Sequence, residues 1–282
     1  MSFNGPVSPE KSTALKGAYE LGYQVDFLSH INTACSLEGK RVLEVGGTNL
    51  PRGLVMGEFG AKQWVGIEPF GTEDPRQRNQ HYRSEQIFSV DDDPAKILAA
   101  DYAIVDGDVK KLRLVDHFDV VVSIAAFEHV LRFGTMLDRV YDALCPGGHL
   151  ESLYMPIWPC PNGHHLWGIK DKAGVEYNFG SYIIPPWGHL LMNPPQLRAY
   201  LLTKTDPDCA DDIVHFTYHD PVINRLFIED YAAYLDASRF TTKALVKLGQ
   251  VEIPDWVQTR LTAAFPGRTQ FDHSTLFMRA VK

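Results

Sequence analysis

The sequence predicts an α/β fold that is built on a mostly parallel β-sheet. Residues 41–45 and 64–67 are short apolar runs of the length expected for buried strands, and a helix would fit between them. Residues 118–123 form a third, almost wholly apolar run, which is typical of the centre of a parallel sheet that is covered on both faces. Strands and helices that alternate in this way indicate an α/β domain.

The ends of the first two strands predict a nucleoside site. Gly46 follows the first strand, where glycine lets the backbone approach a ligand closely. Glu68 ends the second strand about 20 residues later, where an acid can accept hydrogen bonds from a ribose. The stretch from Gly46 to Pro51 lacks the later glycines of the dinucleotide fingerprint, and it lacks the lysine of a P-loop. A nucleoside cofactor other than NAD is therefore favoured.

The remaining elements follow from periodicity and from turn residues. Apolar residues at steps of four predict one or two helices over residues 9–38, with Gly22 as a break. Helical spacing over residues 136–144 stops at a Pro-Gly-Gly turn, after which residues 149–155 read as the fifth strand. The other expectations are a strand over 102–109 that ends in Asp108, an exposed loop over 70–93, a helix over 226–236, and two final antiparallel strands over 239–247 and 274–281.

Four motifs in this order resemble the class I S-adenosylmethionine (SAM) dependent methyltransferases. The segment Glu44-Val45-Gly46-Gly47-Thr48 is similar to the first motif of that family, with Thr48 where a second glycine is common. Asp108 stands where the family has an acid or amide near the adenine amino group. Residues 127–130, Phe-Glu-His-Val, resemble the segment after the fourth strand, and residues 144–148 resemble the turn before the fifth.

The resemblance implies a Rossmann-like class I methyltransferase fold, with a mostly parallel seven-stranded sheet, helices on both faces and an insertion after the fifth strand. It implies one domain over residues 1–282. Its parts are N-terminal helices (1–39), a SAM-binding core (40–155), a substrate-side insertion or lid (156–224), and a C-terminal helix with the last two strands (225–282). The cofactor would be SAM, bound by Glu44, Gly46, Gly47, Thr48, Glu68, Asp108, Val109 and Ser123. In this set Glu68 would bind the ribose, and Asp108 with Val109 would bind the adenine.

The insertion is the segment in which acceptor specificity is expected. Ligands bind beyond the carboxyl ends of the strands in open α/β sheets, and a long excursion from that edge is usually functional. The segment is rich in Pro, Gly and His, and it contains Trp158, Trp167 and Trp187. It resembles methyltransferases from bacterial polysaccharide or glycoconjugate gene clusters, which implies O-methylation of a sugar or glycan. Aromatic platforms suit sugars and many natural products alike.

Methyl transfer to a hydroxyl requires a base, and histidine is the side chain best suited to this role near neutral pH. The catalytic candidates are His129, which has motif support, and His165 and His164, of which at most one faces the substrate because neighbours on an extended segment point apart. His189 is expected to be structural. No metal site is predicted, since His164 and His165 would have to converge with a distant acid such as Asp206 or Asp220.

Composition narrows the partners. A net charge of −8 disfavours nucleic acid, and no run of 18 apolar residues predicts a membrane span. Four scattered cysteines without a disulfide framework are expected to be reduced, as in a cytoplasmic enzyme. The oligomeric state, a homo-oligomer included, is left open. Two alternatives also remain: an N- or O-methyltransferase of a small natural product, and a non-catalytic SAM-fold binding protein.

Overall fold

The computed structural model describes residues 7–46, 50–72, 74–78, 80–83 and 85–282. Its strands are β1 (Arg41–Val45), β2 (Gln63–Glu68), β3 (Ile87–Ser89), β4 (Tyr102–Asp106), β5 (Phe118–Ile124), β6 (Leu144–Tyr154), β7 (Ile169–Lys170), β8 (Glu176–Tyr177), β9 (Thr242–Gln250) and β10 (His273–Val281). Eight of them form one sheet in the order β3-β4-β2-β1-β5-β6-β10-β9, and β7 pairs with β8. The pairs from β3 to β6 are parallel, and β10 runs antiparallel to β6 and β9.

The predicted fold class is therefore confirmed, with one strand more than expected. The extra strand is β3, which lies at the sheet edge inside residues 70–93, the stretch predicted to be a loop. Three residues are too few to show a strand period in a sequence. The acidic run behind β3 caps local structure: Asp92 accepts from the backbone N–H of Ser89 at 2.8 Å, and Asp93 accepts from that of Ala95 at the start of a helix.

Helices cover both faces of the sheet. They are α1 (Pro9–Tyr19), α2 (Tyr23–Ala34), α3 (Pro75–Arg78), α4 (Pro94–Ala99), α5 (Phe133–Ala143), α6 (Gly188–Leu191), α7 (Pro194–Leu201), α8 (Pro207–Tyr218), α9 (Ile228–Ala237) and α10 (Asp255–Ala264). The predicted break at Gly22 is confirmed, because this residue is the N-cap of α2. A π-helical turn, Gly53–Glu58, connects β1 to β2. No helix in the described ranges is both long enough and apolar enough to cross a membrane.

Two apolar layers hold these helices against the sheet. One layer joins α5 and α9 to the sheet, with Met136, Val140 and Tyr231 buried. The other joins α2 to the opposite face, with Leu28 and Ile31 buried. Burial on both faces explains why the central strands are continuous apolar runs.

The glycine turn before the fifth predicted strand lies within β6. Leu144 pairs with Phe118, and His149 then pairs with Val120, so residues 145–148 bulge out of the ladder. The strand therefore begins before the turn, which corrects the predicted start at residue 149. Gly147 in this bulge has φ +77°, a conformation that favours glycine.

The inserted segment has apolar clusters of its own. Trp158, Trp187 and Leu190 pack with Phe271 and with Leu261 of α10. A second cluster packs α7 and α8 together; it contains Leu166, Ile183, Ile184, Leu197, Leu201, Cys209, Ala210 and Ile213. The segment is thus a packed unit beside the sheet, and α10 is an element that the sequence analysis did not predict.

Candidate functional site

A cavity of about 800 Å³ opens at the carboxyl ends of the parallel strands. Ligands of open α/β sheets bind at this edge. The residues that line it are Tyr23, Val45, Gly46, Ile67, Glu68, Pro69, Phe70, Tyr82, Asp108, Val109, Lys110, Ala125, Ala126, His129, Val130, Leu131, Pro221 and Val222. Five of the residues proposed from the sequence therefore share one cavity: Gly46, Glu68, Asp108, Val109 and His129.

Gly46 forms the floor of the cavity where β1 ends. Its φ is +71°, and a Cβ at this position would lie 2.5 Å from the Cβ of Ala126. Its N–H donates to the carbonyl of Ile67 at 2.8 Å, which holds the turn against β2. Glycine is therefore required here both by the backbone conformation and by the close approach of the β5 end. Gly47 and Thr48, the next two predicted cofactor residues, lie outside the described residues.

Glu68 and Asp108 lie on neighbouring strand ends. Glu68 is the last residue of β2, and its carbonyl accepts from the N–H of Gly107 at 3.0 Å. Asp108 follows β4 and accepts from the backbone N–H of Lys110 at 2.9 Å, and it forms an ion pair with the Lys110 ammonium at 2.8 Å. Val109 is buried beside it. This part of the cavity thus offers two carboxylates and an apolar wall.

Glu44 and Ser123 lie behind the cavity wall rather than in it. Both are buried, and Glu44 accepts from the indole N–H of Trp64 at 2.9 Å. The pKa of Glu44 is raised to about 8, chiefly by burial and to a smaller extent by the charge of Glu68, while the Trp64 hydrogen bond acts in the opposite direction. Ser123 donates to the carbonyl of Val45 at 2.8 Å, which joins the ends of β5 and β1. These two residues stabilise β1 and its neighbouring strands behind the cavity, but they do not line it.

His129 lines the cavity, and a backbone carbonyl holds one of its two ring nitrogens. Its Nδ1 lies 2.6 Å from the carbonyl oxygen of Val222. Because a carbonyl only accepts, Nδ1 carries the proton and Nε2 is the basic nitrogen. Desolvation by the surrounding protein lowers the pKa of His129, although the Val222 hydrogen bond and the charge of Glu68 act in the opposite direction. The imidazole is therefore neutral near pH 7 and can accept a proton.

The other candidate histidines are buried in the inserted segment and do not line the cavity. His165 donates through Nε2 to the carbonyl of Pro156, and its ring packs edge-on against His129 with centroids 5.0 Å apart. His164 accepts at Nδ1 from the N–H of Leu166 at 3.1 Å. His189 lies 2.8 Å from the carbonyl of Trp158 and 5.5 Å, centroid to centroid, from His164.

Burial controls the charge of these three rings. It lowers the pKa of His164 to about 2, of His165 to about 3 and of His189 to about 4. A second contribution for His164 comes from His189, since one charged ring would repel the other. Such rings stay neutral and serve packing, and His165 additionally supports His129 from behind.

The wall opposite the cofactor edge is the chain from Asp220 to Arg225. The side-chain amide of Asn224 donates to the carbonyl of Phe127 at 2.8 Å. The backbone N–H of Asn224 donates to the carbonyl of Glu128 at 2.9 Å. Arg225 donates to the carbonyls of Thr217 and Asp220 at the end of α8. These bonds fix Val222, and hence the orientation of His129.

Glu128 lies directly beneath this wall. It is fully buried, and one carboxylate oxygen accepts from the N–H of Met155 at 3.2 Å. Burial raises the pKa of Glu128 to about 8. Its contacts join the segment after β5 to the end of β6 and to Asn224, which is a supporting role at the cavity.

Several cavity residues were not among the predicted site residues. Tyr23 comes from the first turn of α2 and is 52% exposed, whereas a helical stripe of apolar residues predicted only packing for it. Ala125 has φ +48° at the tip of β5, a strained conformation for alanine of the kind found at functional sites. Phe70 and Tyr82 come from the stretch predicted to be a loop. No spacing rule links these positions in the sequence.

The tryptophans of the insertion do not line the cavity. Trp158 and Trp187 are buried, and the Trp187 indole donates to the carbonyls of Pro159 and Phe271 at 3.1 and 3.2 Å. Trp167 is 63% exposed on the outer surface. Of residues 156–224, Pro221 and Val222 are the ones that reach the cavity wall.

Fold and cavity together define an α/β protein with a large cavity at the carboxyl edge of its sheet, the edge at which open α/β sheets bind ligands. The family model described as a methyltransferase domain matches residues 18–168, which is just over half of the chain. The chain therefore belongs to this family. It is a methyltransferase, and S-adenosyl-L-methionine is its cofactor, as the sequence motifs predicted.

Solved structures of similar fold include SAM-dependent methyltransferases. One from Mesorhizobium loti has 16% identity and a TM-score of 0.48, with 94% of this chain and 100% of that chain covered. One from Listeria monocytogenes has 14% identity and a TM-score of 0.48, with 92% and 99% covered. Phosphoethanolamine N-methyltransferase 2 of Haemonchus contortus, in complex with SAM, has 14% identity and a TM-score of 0.45, with 99% and 54% covered. No curated protein sequence matches the chain.

Proposed function

We propose that this enzyme methylates a hydroxyl of a small-molecule acceptor, a sugar or glycan, with His129 as the general base. In this proposal the acceptor oxygen attacks the sulfonium methyl group, the carbon–sulfur bond breaks, and S-adenosylhomocysteine leaves. The hydroxyl proton passes to Nε2 of His129 and then to water. Glu68 binds the ribose hydroxyls, and Asp108 with Val109 binds the adenine.

The observation that carries the proposal is the hydrogen bond from His129 to the Val222 carbonyl. It leaves Nε2 as an unprotonated acceptor beside the same cavity as Glu68 and Asp108. A neutral imidazole with a fixed tautomer is the form a general base requires. The three histidines of the insertion are protonated only at much lower pH and lie away from the cavity, so the proposal assigns them no proton transfer.

A sugar acceptor is supported by the cavity surface on the α2 side. Tyr23 presents an aromatic ring with a polar tip, which suits the apolar face and the hydroxyls of a sugar. Leu131 and Pro221 add apolar surface on the His129 side. Positioning of acceptor and methyl group in this enclosed space supplies much of the catalytic effect, and the base adds to it.

The test is the variant His129→Ala, assayed with a panel of nucleotide sugars, glycans and small amines. Turnover of the hydroxyl acceptor should fall by about 10²- to 10⁴-fold, the usual contribution of a general base. SAM affinity by calorimetry should stay the same. His215→Ala, which changes an exposed histidine of α8 outside the cavity, should retain full turnover.

The pH profile gives a second readout. Turnover should rise with pH through a histidine titration whose midpoint lies below the ordinary value, because partial desolvation by the surrounding protein lowers the pKa of His129. The residual turnover of His129→Ala should not show this rise with pH. Full turnover of His129→Ala would show that His129 is not the general base. Methylation of amines alone would show that the acceptor is an amine.

A further inference from the structure

Three metal-ligand side chains meet at the amino-terminal side of the sheet, away from the cofactor cavity. Cys35 ends α2, and His149 and Glu151 are alternate residues of β6 that point toward this helix. One ligand atom of each lies within 4.8 Å of the others, and Nδ1 of His149 is 3.7 Å from Oε1 of Glu151. His149 and Glu151 pair with Val120 and Val122 of β5, well before the strand end that faces the cavity.

Two polar atoms of this cluster, Oε2 of Glu151 and Nδ1 of His149, lack the partners that burial normally demands. Glu151 is completely buried; its Oε1 has an ion pair with Arg279 at 3.0 Å, whereas its Oε2 has no hydrogen-bond partner among the described residues. Nδ1 of His149 is buried in the same way. Leaving such groups unsatisfied is costly, and buried polar atoms in proteins are nearly always paired or bound to an ion.

We propose that Cys35, His149 and Glu151 form a zinc-binding site. Thiolate, imidazole and carboxylate are the ligands that zinc prefers, and tetrahedral zinc with bonds of 2.0–2.3 Å places its ligand atoms roughly 3.3–3.8 Å apart. Nδ1 of His149 and Oε1 of Glu151 are 3.7 Å apart, slightly more than the roughly 3.3–3.5 Å expected for a nitrogen and an oxygen ligand, so a small side-chain adjustment brings both to zinc. Cys35 is half-buried at a helix end, where a small shift can complete the geometry.

The charges near the cluster are compatible with a dication. The two positive charges of zinc are balanced by one thiolate and one carboxylate. The occupied site therefore adds no net charge beside Lys40 and Arg279. Arg279 places Nε 3.0 Å from Oε1 of Glu151, and it donates through Nη2 to the carbonyl of Ala34. Groups that hold a ligand carboxylate from behind are common around zinc sites. Arg279 thus joins Glu151 to the residue before Cys35.

A second cavity, of about 480 Å³, gives access to the cluster. It is lined by Cys35, His149 and Lys40, and also by Cys145 and Asp119. A water molecule from this cavity can occupy the fourth position of a three-ligand site. Bound zinc would tie the end of α2 to β6, on which this helix packs. The proposal does not depend on the acceptor or on the base.

The experiment measures zinc binding to the full chain after dialysis against a chelator. One zinc should bind per chain and raise Tm. Cys35→Ser, His149→Ala and Glu151→Gln should each weaken zinc binding by at least about 100-fold, because each removes a direct ligand. Cys145→Ser is the matched control. Its thiol lines the same cavity but donates to the carbonyl of Asp116 and lies outside the cluster, so zinc affinity should be unchanged.

Cobalt substitution identifies the thiolate. The cobalt form should show thiolate-to-metal charge-transfer absorption that Cys35→Ser abolishes and Cys145→Ser retains. SAM affinity, measured on every variant, separates loss of the metal site from loss of the fold. Absence of stoichiometric zinc binding, or zinc affinity that Cys35→Ser leaves intact in a SAM-binding protein, would overturn the proposal.

Discussion

The cofactor edge of the sheet and the inserted segment carry similar side chains in opposite roles. At the edge, Glu68, Asp108 and His129 face a cavity, and none is enclosed by apolar neighbours. In the insertion, His164 and His189 are buried against each other and against Trp158. Their pKa values are lowered to about 2 and about 4, whereas a cavity histidine keeps access to solvent protons.

The difference teaches that residue type alone does not identify a functional side chain. A histidine that can exchange a proton with a ligand needs a polar partner on one nitrogen and access to a cavity; His129 has the Val222 carbonyl on Nδ1 and lines the cavity. A histidine that is buried on all sides serves packing, and its ring nitrogens need hydrogen-bond partners because unpaired buried polar atoms are destabilising. The insertion acts on the cavity through its last residues, Pro221 and Val222, and through the support that His165 gives to His129.

The largest effect expected from this comparison is on stability. Trp187→Ala should lower the free energy of unfolding by about 3–5 kcal/mol, because it empties a buried site and leaves two carbonyls without their donor. Trp167→Ala, at an exposed position, should change it by less than about 0.5 kcal/mol. Urea unfolding measures both variants. A stable Trp187→Ala protein with a raised acceptor KM would instead make Trp187 a substrate residue.

A smaller effect is expected on cofactor affinity. Glu68→Ala should weaken SAM binding by about 10- to 100-fold, since a hydrogen bond to a charged group contributes roughly 1.5–3 kcal/mol. Glu176→Ala removes a carboxylate from β8 in the insertion and should leave SAM affinity unchanged. Calorimetric titration with SAM compares the two. Equal affinities for Glu68→Ala and the unmodified protein would remove Glu68 from the ribose site.

The smallest effect, when it is compared over a single pH unit, is expected in the pH dependence of stability. Burial lowers the pKa of His189 to about 4, so between about pH 6.5 and 4 the unfolded chain binds a proton that the native state does not. Stability should therefore fall as the pH falls, by roughly 1.4 kcal/mol per pH unit for this histidine. Glu44 and Glu128, whose pKa values burial raises to about 8, act in the opposite direction as the pH falls from about 8 to 4.5.

The contribution of His189 is obtained by comparing the pH dependence of the free energy of unfolding of the unmodified protein with that of His189→Gln. The buried carboxyl groups contribute equally to both proteins and cancel in this comparison. The variant should lose less stability on acidification, as measured by urea unfolding at several pH values. The two curves should run parallel above pH 7, where His189 is neutral in both states. Parallel curves at pH 5 as well would show that His189 gains solvent access in the native state.

Local pattern predicted the elements whose signals are long or strongly marked. The apolar runs of β1, β2 and β5 and the break at Gly22 are in the structure where the periodicity indicated. The three-residue strand β3 and the helix α10 were missed, because one is too short for a period and the other lies between two predicted strands. The start of β6 was misplaced because a glycine turn inside a strand resembles a glycine turn before one.

The sequence by itself determined the α/β class, seven of the strands in their order along the chain, and the positions of Gly46, Glu68 and Asp108 at or just after strand ends. These properties depend on residues that are close in the chain, and the carboxyl ends of parallel strands necessarily meet at one edge. Only the tertiary structure decided that His129 faces the cavity while His164 and His165 are buried, and that Cys35 lies beside His149 and Glu151. Burial and proton affinity depend on tertiary contacts, such as that between Val222 and His129, which are 93 positions apart, and no local pattern records such contacts.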